Sequence, residues 1–438
     1  MQSYVWHPYT QMKDWTKFDV IVKASGMWLQ DSKGKRLMDG VASMWCNTWG
    51  HSKKELVNAM VVQTKKLQHS SLFNLTNDKA EILAKKLVNL APNMHRVFYS
   101  DDGSTAMEIS AKMALQYWYN RNEKRRTKFV TLANGYHGDT AGAMSLGYVP
   151  SFFSRYKSIL FPVIKTPTPN SYRIPINFTY DEYQNFCLEK IEETLSKNDN
   201  IAAFVLESGA QVAGGVVIYP KGFQKKISML CKKHDVLFVL DEIATGFGRL
   251  GSMIEYQSQD SIPDIVSFGK MLTGGYLPLA VTLASKRIYD AFLGTYGEMK
   301  HFFHGHTFTG HPLACATAIA NLDLYRKQNL ISKVKKRSAE LQKRIEEISR
   351  IELVGDVRHK GMLMGIELVS NKKHKTPISP HMRISQKIFN EAKKHKIYLR
   401  TLGHIVMLVP PLAISEKELD FLIDGTISTI KSVEKKIN

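Results

Sequence analysis

Cysteine is scarce in this 438-residue chain. Its four cysteines, Cys46, Cys187, Cys231 and Cys315, are scattered, with no Cys-x-x-Cys pair. That scatter excludes a disulfide framework and a zinc ribbon and fits a reducing compartment. Long apolar runs are missing too. None approaches the ~20 residues of a membrane-spanning helix. The opening Met1-Gln-Ser-Tyr-Val-Trp6 lacks the basic-then-apolar layout of a secretory signal. A cytoplasmic protein with no membrane partner is expected. Acidic residues are the third shortage: 40 Asp and Glu stand against 60 Lys and Arg, a formal charge of +20. Such a charge can draw nucleic acid or phosphate-bearing ligands. No recognised nucleic-acid module accompanies it, so no nucleic-acid partner is expected. Between Lys333 and Ile348 both signs mix at helical spacing, as on a solvated helix face.

What is present reads as an α/β body. The 44% hydrophobic and 23% charged composition is that of a globular protein, which excludes disordered and fibrous classes. Short apolar runs recur: 96–100, 128–132, 202–206, 236–240 and 264–268. They are strand-length and rich in β-branched and aromatic residues. Helix-like stretches such as 106–119 and 223–234 lie between them. Near-continuous apolar strands alternating with helices predict a largely parallel, buried sheet. Residues 1–49 are aromatic-rich and broken by glycine. From about 325 onward, charged helical patterns lead to Ile405-Val-Met-Leu-Val before Pro410-Pro411. The expected division is an N-terminal segment 1–49, a large α/β domain 50–324 and a small α+β domain 325–438. The small domain is expected to draw on both termini.

Two motifs fail on context. Gly246-Phe-Gly248-Arg-Leu-Gly251 matches the dinucleotide pattern. The fingerprint, however, needs glycine at the strand end and an acid about 20 positions on. Here five residues intervene and position 271 is Met, so a glycine-bent loop is expected. His301, His304, His306 and His311 cluster, but no second group supplies carboxylates or thiols at ligand spacing. No metal is expected.

The informative pair is Asp241 and Lys270. Each ends an apolar run, and they lie 29 residues apart, about one βα unit. Ligands of open α/β sheets bind at the carboxyl ends of strands. A desolvated lysine can act as a nucleophile. A buried carboxylate seeks a cation such as the ring nitrogen of pyridoxal phosphate. A plain ion pair satisfies the same spacing. Gly103-Ser104 follow a strand and open a helix, as a phosphate site or an ordinary N-cap does. Tyr136, after the next strand, either stacks on a flat cofactor or covers the core.

Together Gly103-Ser104, Asn134-Gly-Tyr136-His137-Gly-Asp139, Leu240-Asp241-Glu-Ile-Ala-Thr-Gly-Phe-Gly-Arg249 and Gly269-Lys270 resemble the class III, fold-type I pyridoxal-phosphate aminotransferases. The likeness covers essentially the whole chain. Trp6-His7-Pro8-Tyr9-Thr10-Gln11, Trp45 and Arg400 narrow it to the biotin-pathway branch, the diaminononanoate synthases. The resemblance implies a mainly parallel seven-stranded sheet flanked by helices and a smaller α+β domain. It implies pyridoxal 5'-phosphate as cofactor, with Lys270 bonded to it and shuttling the proton. Asp241 would pair with the ring nitrogen, Gly103 and Ser104 would bind phosphate, and Tyr136 and Glu207 would lie beside the ring. Thr307, next to His306, would reach the phosphate of a neighbouring subunit in a homodimer. Tyr9, Trp45, Tyr136, Gly305 and Arg400 would meet substrate, Arg400 through its carboxylate. The substrates implied are 8-amino-7-oxononanoate and an amino donor. S-adenosylmethionine is the majority donor. Many relatives have Gly-Pro-Thr where this chain has Gly305-His306-Thr307, and the His-rich loop leans toward lysine as donor. A class III aminotransferase of ω-amino acids or diamines is the other alternative.

Overall fold

A computed structural model describes residues 3–15 and 17–437. Its centre is a seven-stranded sheet. The strands are β1 (Met94–Ser100), β2 (Lys128–Leu132), β3 (Ile164–Thr166), β4 (Ile201–Glu207), β5 (Leu237–Asp241), β6 (Ile265–Phe268) and β7 (Ala280–Ser285). They lie in the order β1-β7-β6-β5-β4-β2-β3. Strand β7 is antiparallel to both neighbours, and the other six run one way. Every residue of β4, β5 and β6 is buried. Period-two alternation explains the unbroken apolar runs, because both faces are covered. Val205, Val239 and Ile265 pack with Met107, Ala114 and Trp118 of helix α1 (Gly103–Asn120). Phe204, Phe238 and Val266 face the other way, among Phe223, Ile227, Ala318 and Leu322.

The chain's two ends meet. Antiparallel strands Ile21–Ser25, Trp28–Asp31 and Arg36–Asp39 are extended by Ile397–Tyr398, which pairs parallel with the third. A second antiparallel sheet joins Val354–Lys360, Leu363–Asn371, Ile405–Leu408 and Arg400–Leu402. The helix Pro312–Lys327, α2, runs unbroken through the division expected at 324/325. Among the described residues, no helix is long and apolar enough to cross a membrane.

The segment 246–251 is the glycine-bent loop expected of it. Phe247, Gly248 and Gly251 all have positive φ. The bend delivers Arg249 into the interior, where its Nη1 donates to the carbonyls of Met362 (2.9 Å) and Pro410 (2.8 Å). A loop of the large sheet is thereby bonded to the C-terminal region. The core prediction concerns Phe204, fully buried at the centre of β4. Phe204→Ala is expected to cost about 3–5 kcal/mol, read as a lower urea midpoint by circular dichroism.

Candidate active site

Strand register builds the site. Asp241 is paired with Glu207 on one side and Ser267 on the other. All three sit at the carboxyl edge of the parallel strands. Alternation turns them to the face that α1 covers, and Ser267 Oγ lies 2.9 Å from Ser110 Oγ of that helix. The first turn of α1 meets the same edge. Asp102 caps it, accepting from Thr105 N at 3.0 Å. The N–H groups of Gly103 and Ser104 precede any intrahelical partner and are free for an anion. Gly103 has a packing reason as well: a Cβ there would stand 2.7 Å from Ile243 Cγ2.

Lys270 follows β6 and opens a short turn with φ +42°. Such a backbone persists only when its surroundings fix it. Asn321 of α2 does so, donating to the carbonyls of Met271 (2.7 Å) and Leu272 (3.0 Å). The Lys270 ammonium lies 5.5 Å from the Trp45 ring centroid. Burial lowers its pKa, and the charge of Asp241 opposes that shift. Trp45 sits on a strained segment of its own, with positive φ at Ala42, Ser43 and Trp45. The Asp39 carboxylate holds that segment by accepting from Val41 N (3.1 Å) and Ser43 N (2.7 Å).

A cavity of about 180 Å³ collects Trp45, Gly103, Ser104, Tyr136, Glu207, Asp241 and Lys270. Seven of the expected site residues are thus brought together. Tyr9 lies at the rim, donating to Asp139 Oδ1 at 2.6 Å. Burial and the bond to Asp139 push the Tyr9 pKa up, and the charge of Arg400 opposes that rise. Arg400 itself contacts Met44 Sδ, beside Trp45. Gly305, His306 and Thr307 are not brought to this wall within one chain. His306 Nδ1 stands 3.1 Å from Asp101 Oδ2, and the Thr307 carbonyl lies 2.8 Å from His69 Nε2.

Two further residues join the site, His137 and Asp139, which the sequence marks only as neighbours of Tyr136. His137 is buried, and its Nδ1 donates to Asp241 Oδ2 at 2.8 Å. The other oxygen, Oδ1, accepts from Ile243 N at 2.9 Å. Asp139 accepts from Tyr9 and gives its N–H to Ser104 Oγ at 3.2 Å. Their residue types in the loop after β2 were the available signal, but a loop's side-chain directions have no period to read.

The donor set fits pyridoxal phosphate. One end offers free helix N–H groups and a hydroxyl for a dianion. The other offers a carboxylate fixed by two hydrogen bonds, suited to a protonated ring nitrogen. Between them stand an amine and the Tyr136 ring, backed by Phe153 at a 17° interplanar angle. Glu207 completes the wall. Its oxygens accept from Tyr136 N (3.0 Å) and Val212 N (2.9 Å). Burial pushes its carboxyl up to about 7, against the pull of His137 and the Val212 N–H, with Asp241 adding to the rise. A carboxyl raised from 4.5 to about 7 contributes stability that is full below pH 4.5 and lost as pH climbs through that window. Glu207→Gln is therefore expected to flatten the fall of the urea midpoint of cofactor-free protein between pH 5 and 7.

Residues 10–430 match the model of the aminotransferase class-III family. The adenosylmethionine-8-amino-7-oxononanoate aminotransferase of Geobacter sulfurreducens is 43% identical, over 99% of this chain and 96% of that protein. The crystal structure of the enzyme of the same name from Methanocaldococcus jannaschii superposes with a TM-score of 0.92. It is 40% identical and covers 98% of this chain and 97% of its own. An amine transaminase from an uncultivated Pseudomonas species, solved with pyridoxal phosphate bound, gives a TM-score of 0.94 at 31% identity and covers 99% of each chain. The expected class III likeness and fold-type I architecture are both met, and the chain belongs to the class-III aminotransferases.

Proposed function

We propose that this protein transfers an amino group to 8-amino-7-oxononanoate, yielding 7,8-diaminononanoate for biotin synthesis, with pyridoxal 5'-phosphate in the cavity. The observation that carries the reading is the meeting of Lys270, Asp241 and the α1 N-terminus in one cavity. The names of the full-length relatives supply the substrate and S-adenosylmethionine as donor.

Bound there, the cofactor supplies an electron sink for bonds at the amino carbon. The remaining work falls to the chain. Gly103 N–H, Ser104 N–H and Ser104 Oγ bind the phosphate. Thr307 of a second copy does the same, with His306 beside it, so the working form is a homodimer. Asp241, oriented by His137 and the Ile243 N–H, would pair with the ring nitrogen. Lys270 would hold the cofactor through Nζ, and that amine, once free of it, would move the proton at the substrate carbon. Burial lowers the pKa of that amine, and the charge of Asp241 opposes the shift. Tyr136 packs against the ring. Tyr9 and Trp45 line the acyl-chain path together with Gly305 of a second copy, and Arg400 grips the terminal carboxylate with its fork of donors. The same reading takes 1–49, 50–324 and 325–438 as the working divisions and the cytoplasm as the place of action.

Four measurements test this. Purified protein reconstituted with pyridoxal phosphate should develop a visible cofactor band that S-adenosylmethionine bleaches. Bleaching by lysine alone would reassign the donor, and absence of any band would overturn the cofactor. Lys270→Ala should fold, bind cofactor and lose at least ~10³-fold in turnover. Arg400→Met should raise KM for 8-amino-7-oxononanoate about 10- to 100-fold, the worth of a charge-assisted hydrogen-bond pair. A preference for simple ω-amino acids over 8-amino-7-oxononanoate would move the chain to another class III activity.

A further inference from the structure

Outside the cavity, a buried ion pair in the C-terminal sheet points back at it. Glu367 is 3% exposed and Arg358 is 6% exposed. They lie on adjacent antiparallel strands. Glu367 Oε2 accepts from Arg358 Nη1 at 2.7 Å. Its Oε1 accepts from Arg173 Nε at 3.1 Å and faces His404 Nε2 at 3.4 Å. Asp356 also accepts from Arg358 Nη1, at 2.7 Å. A carboxylate buried so deeply is costly unless it is paired on every side. Burial alone would raise the Glu367 pKa, but His404, Arg358 and Arg173 together bring it down to about 2.

The other half of the Arg358 fork leaves the sheet. Its Nη2 donates to the Gly215 carbonyl at 2.7 Å. Gly215 belongs to a tight turn whose Val212 and Ala213 form cavity wall. The turn is strained: Gly215 has φ +125° and the β-branched Val216 has φ +55°. It is also wedged. A Cβ on Gly214 would stand 2.1 Å from the Asn134 carbonyl, and one on Gly365 would stand 2.7 Å from Val216 Cβ. Gly365 is the register partner of Arg358. From the turn, Val212 N donates to Glu207, and Glu207 accepts from Tyr136 N. A continuous series of hydrogen bonds thus runs from Glu367 through Arg358, Gly215 and Val212 to Glu207 and Tyr136. His404, held by the same carboxylate, sits in the hairpin between Arg400–Leu402 and Ile405–Leu408.

We propose that Arg358 and Glu367 are positioning residues for the amino-acceptor site: Glu367 aims the Arg358 guanidinium at the Gly215 carbonyl, which fixes the Val212–Ala213 wall and the Glu207–Tyr136 contact behind the substrate. The proposal rests on the aminotransferase reading for its kinetic consequence, though not for its structural one.

The test uses the reconstituted enzyme and the double variant Arg358→Met with Glu367→Gln. Removing both charges at similar volume leaves no lone buried ion. Hydrogen–deuterium exchange of the amides of residues 212–216 is expected to quicken about tenfold, the effect of losing one charge-assisted hydrogen bond. Exchange in the helix Lys54–Lys66 should stay as in the wild type. KM for 8-amino-7-oxononanoate should rise about tenfold with kcat within twofold. Arg358→Lys, which keeps the charge but not the fork, should fall between the two and serves if the double variant does not fold. Unchanged exchange at 212–216 in a folded variant overturns the clamp. Faster exchange there with unchanged KM overturns its role in substrate placement. A wild-type enzyme that transaminates nothing sinks the functional reading instead, and the exchange comparison still judges the clamp.

Discussion

Two carboxylates in register on neighbouring parallel strands are the constraint around which this molecule is arranged. Glu207 and Asp241 end β4 and β5 side by side and point to the same face. In a buried setting both cannot be ionised without compensation. The structure divides the roles by environment. Asp241 is bound by the His137 ring and the Ile243 N–H. Among the described residues Glu207 accepts only from backbone N–H groups, and its carboxyl is pushed up to about 7. One position is thus a carboxylate held by a side chain and a backbone N–H, and the other a group that can shed its proton near neutrality. Only the first is suited to hold a cationic ring. The parallel sheet makes this possible, because its carboxyl edge is where strands end together and a helix dipole can face them.

The amine that completes the site is placed by strain rather than by a strand. Lys270 takes a left-handed backbone immediately after β6, and Asn321 holds the carbonyls of the two residues that follow. Asn321 Oδ1 in turn accepts from Trp49 Nε1 at 2.7 Å. Trp49 lies four residues beyond Trp45, on the far side of the strained segment that faces the lysine. Two unfavourable backbone conformations therefore confront each other across the cavity, each over-determined by buried hydrogen bonds. That arrangement resists relaxation when substrate enters, and it spares the chemistry the cost of ordering the wall.

Much of this was legible in the chain. The five apolar runs at 96–100, 128–132, 202–206, 236–240 and 264–268 all became strands, and in the three central ones both faces are covered, so burial overrides alternation. Asp241 and Lys270 stood out because a charge terminating such a run has nowhere to go but the sheet edge. The antiparallel strand Ala280–Ser285 was not read, since strand direction leaves no mark on periodicity. Nor was the three-residue strand Ile164–Thr166. His137 and Asp139 were visible only as company for Tyr136, because hydrogen bonds that join residues 104 and 130 positions apart have no local signature. The Arg358–Gly215 contact is more distant still in the chain.

The division of labour between the sheets follows from the same geometry. Everything that would handle the cofactor within one chain, from Gly103 to Lys270, hangs from the large sheet or its loops. The groups at the rim come from elsewhere: Tyr9 from the N-terminal segment, Trp45 from the strained turn, and Arg400 from the C-terminal sheet. These parts share few backbone hydrogen bonds with the large sheet. They are tied to it at a few buried points, among them Arg249 reaching Met362 and Pro410 from one side and Arg358 reaching Gly215 from the other. Each tie uses a guanidinium donating to carbonyls, a contact whose geometry is set by a planar fork and not by the identity of the side chains around it. The surfaces between the ties can therefore change with substrate while the cofactor end stays still. In such an architecture the wall of the cavity hangs from the large sheet, and its rim from what the two arginines hold against that sheet.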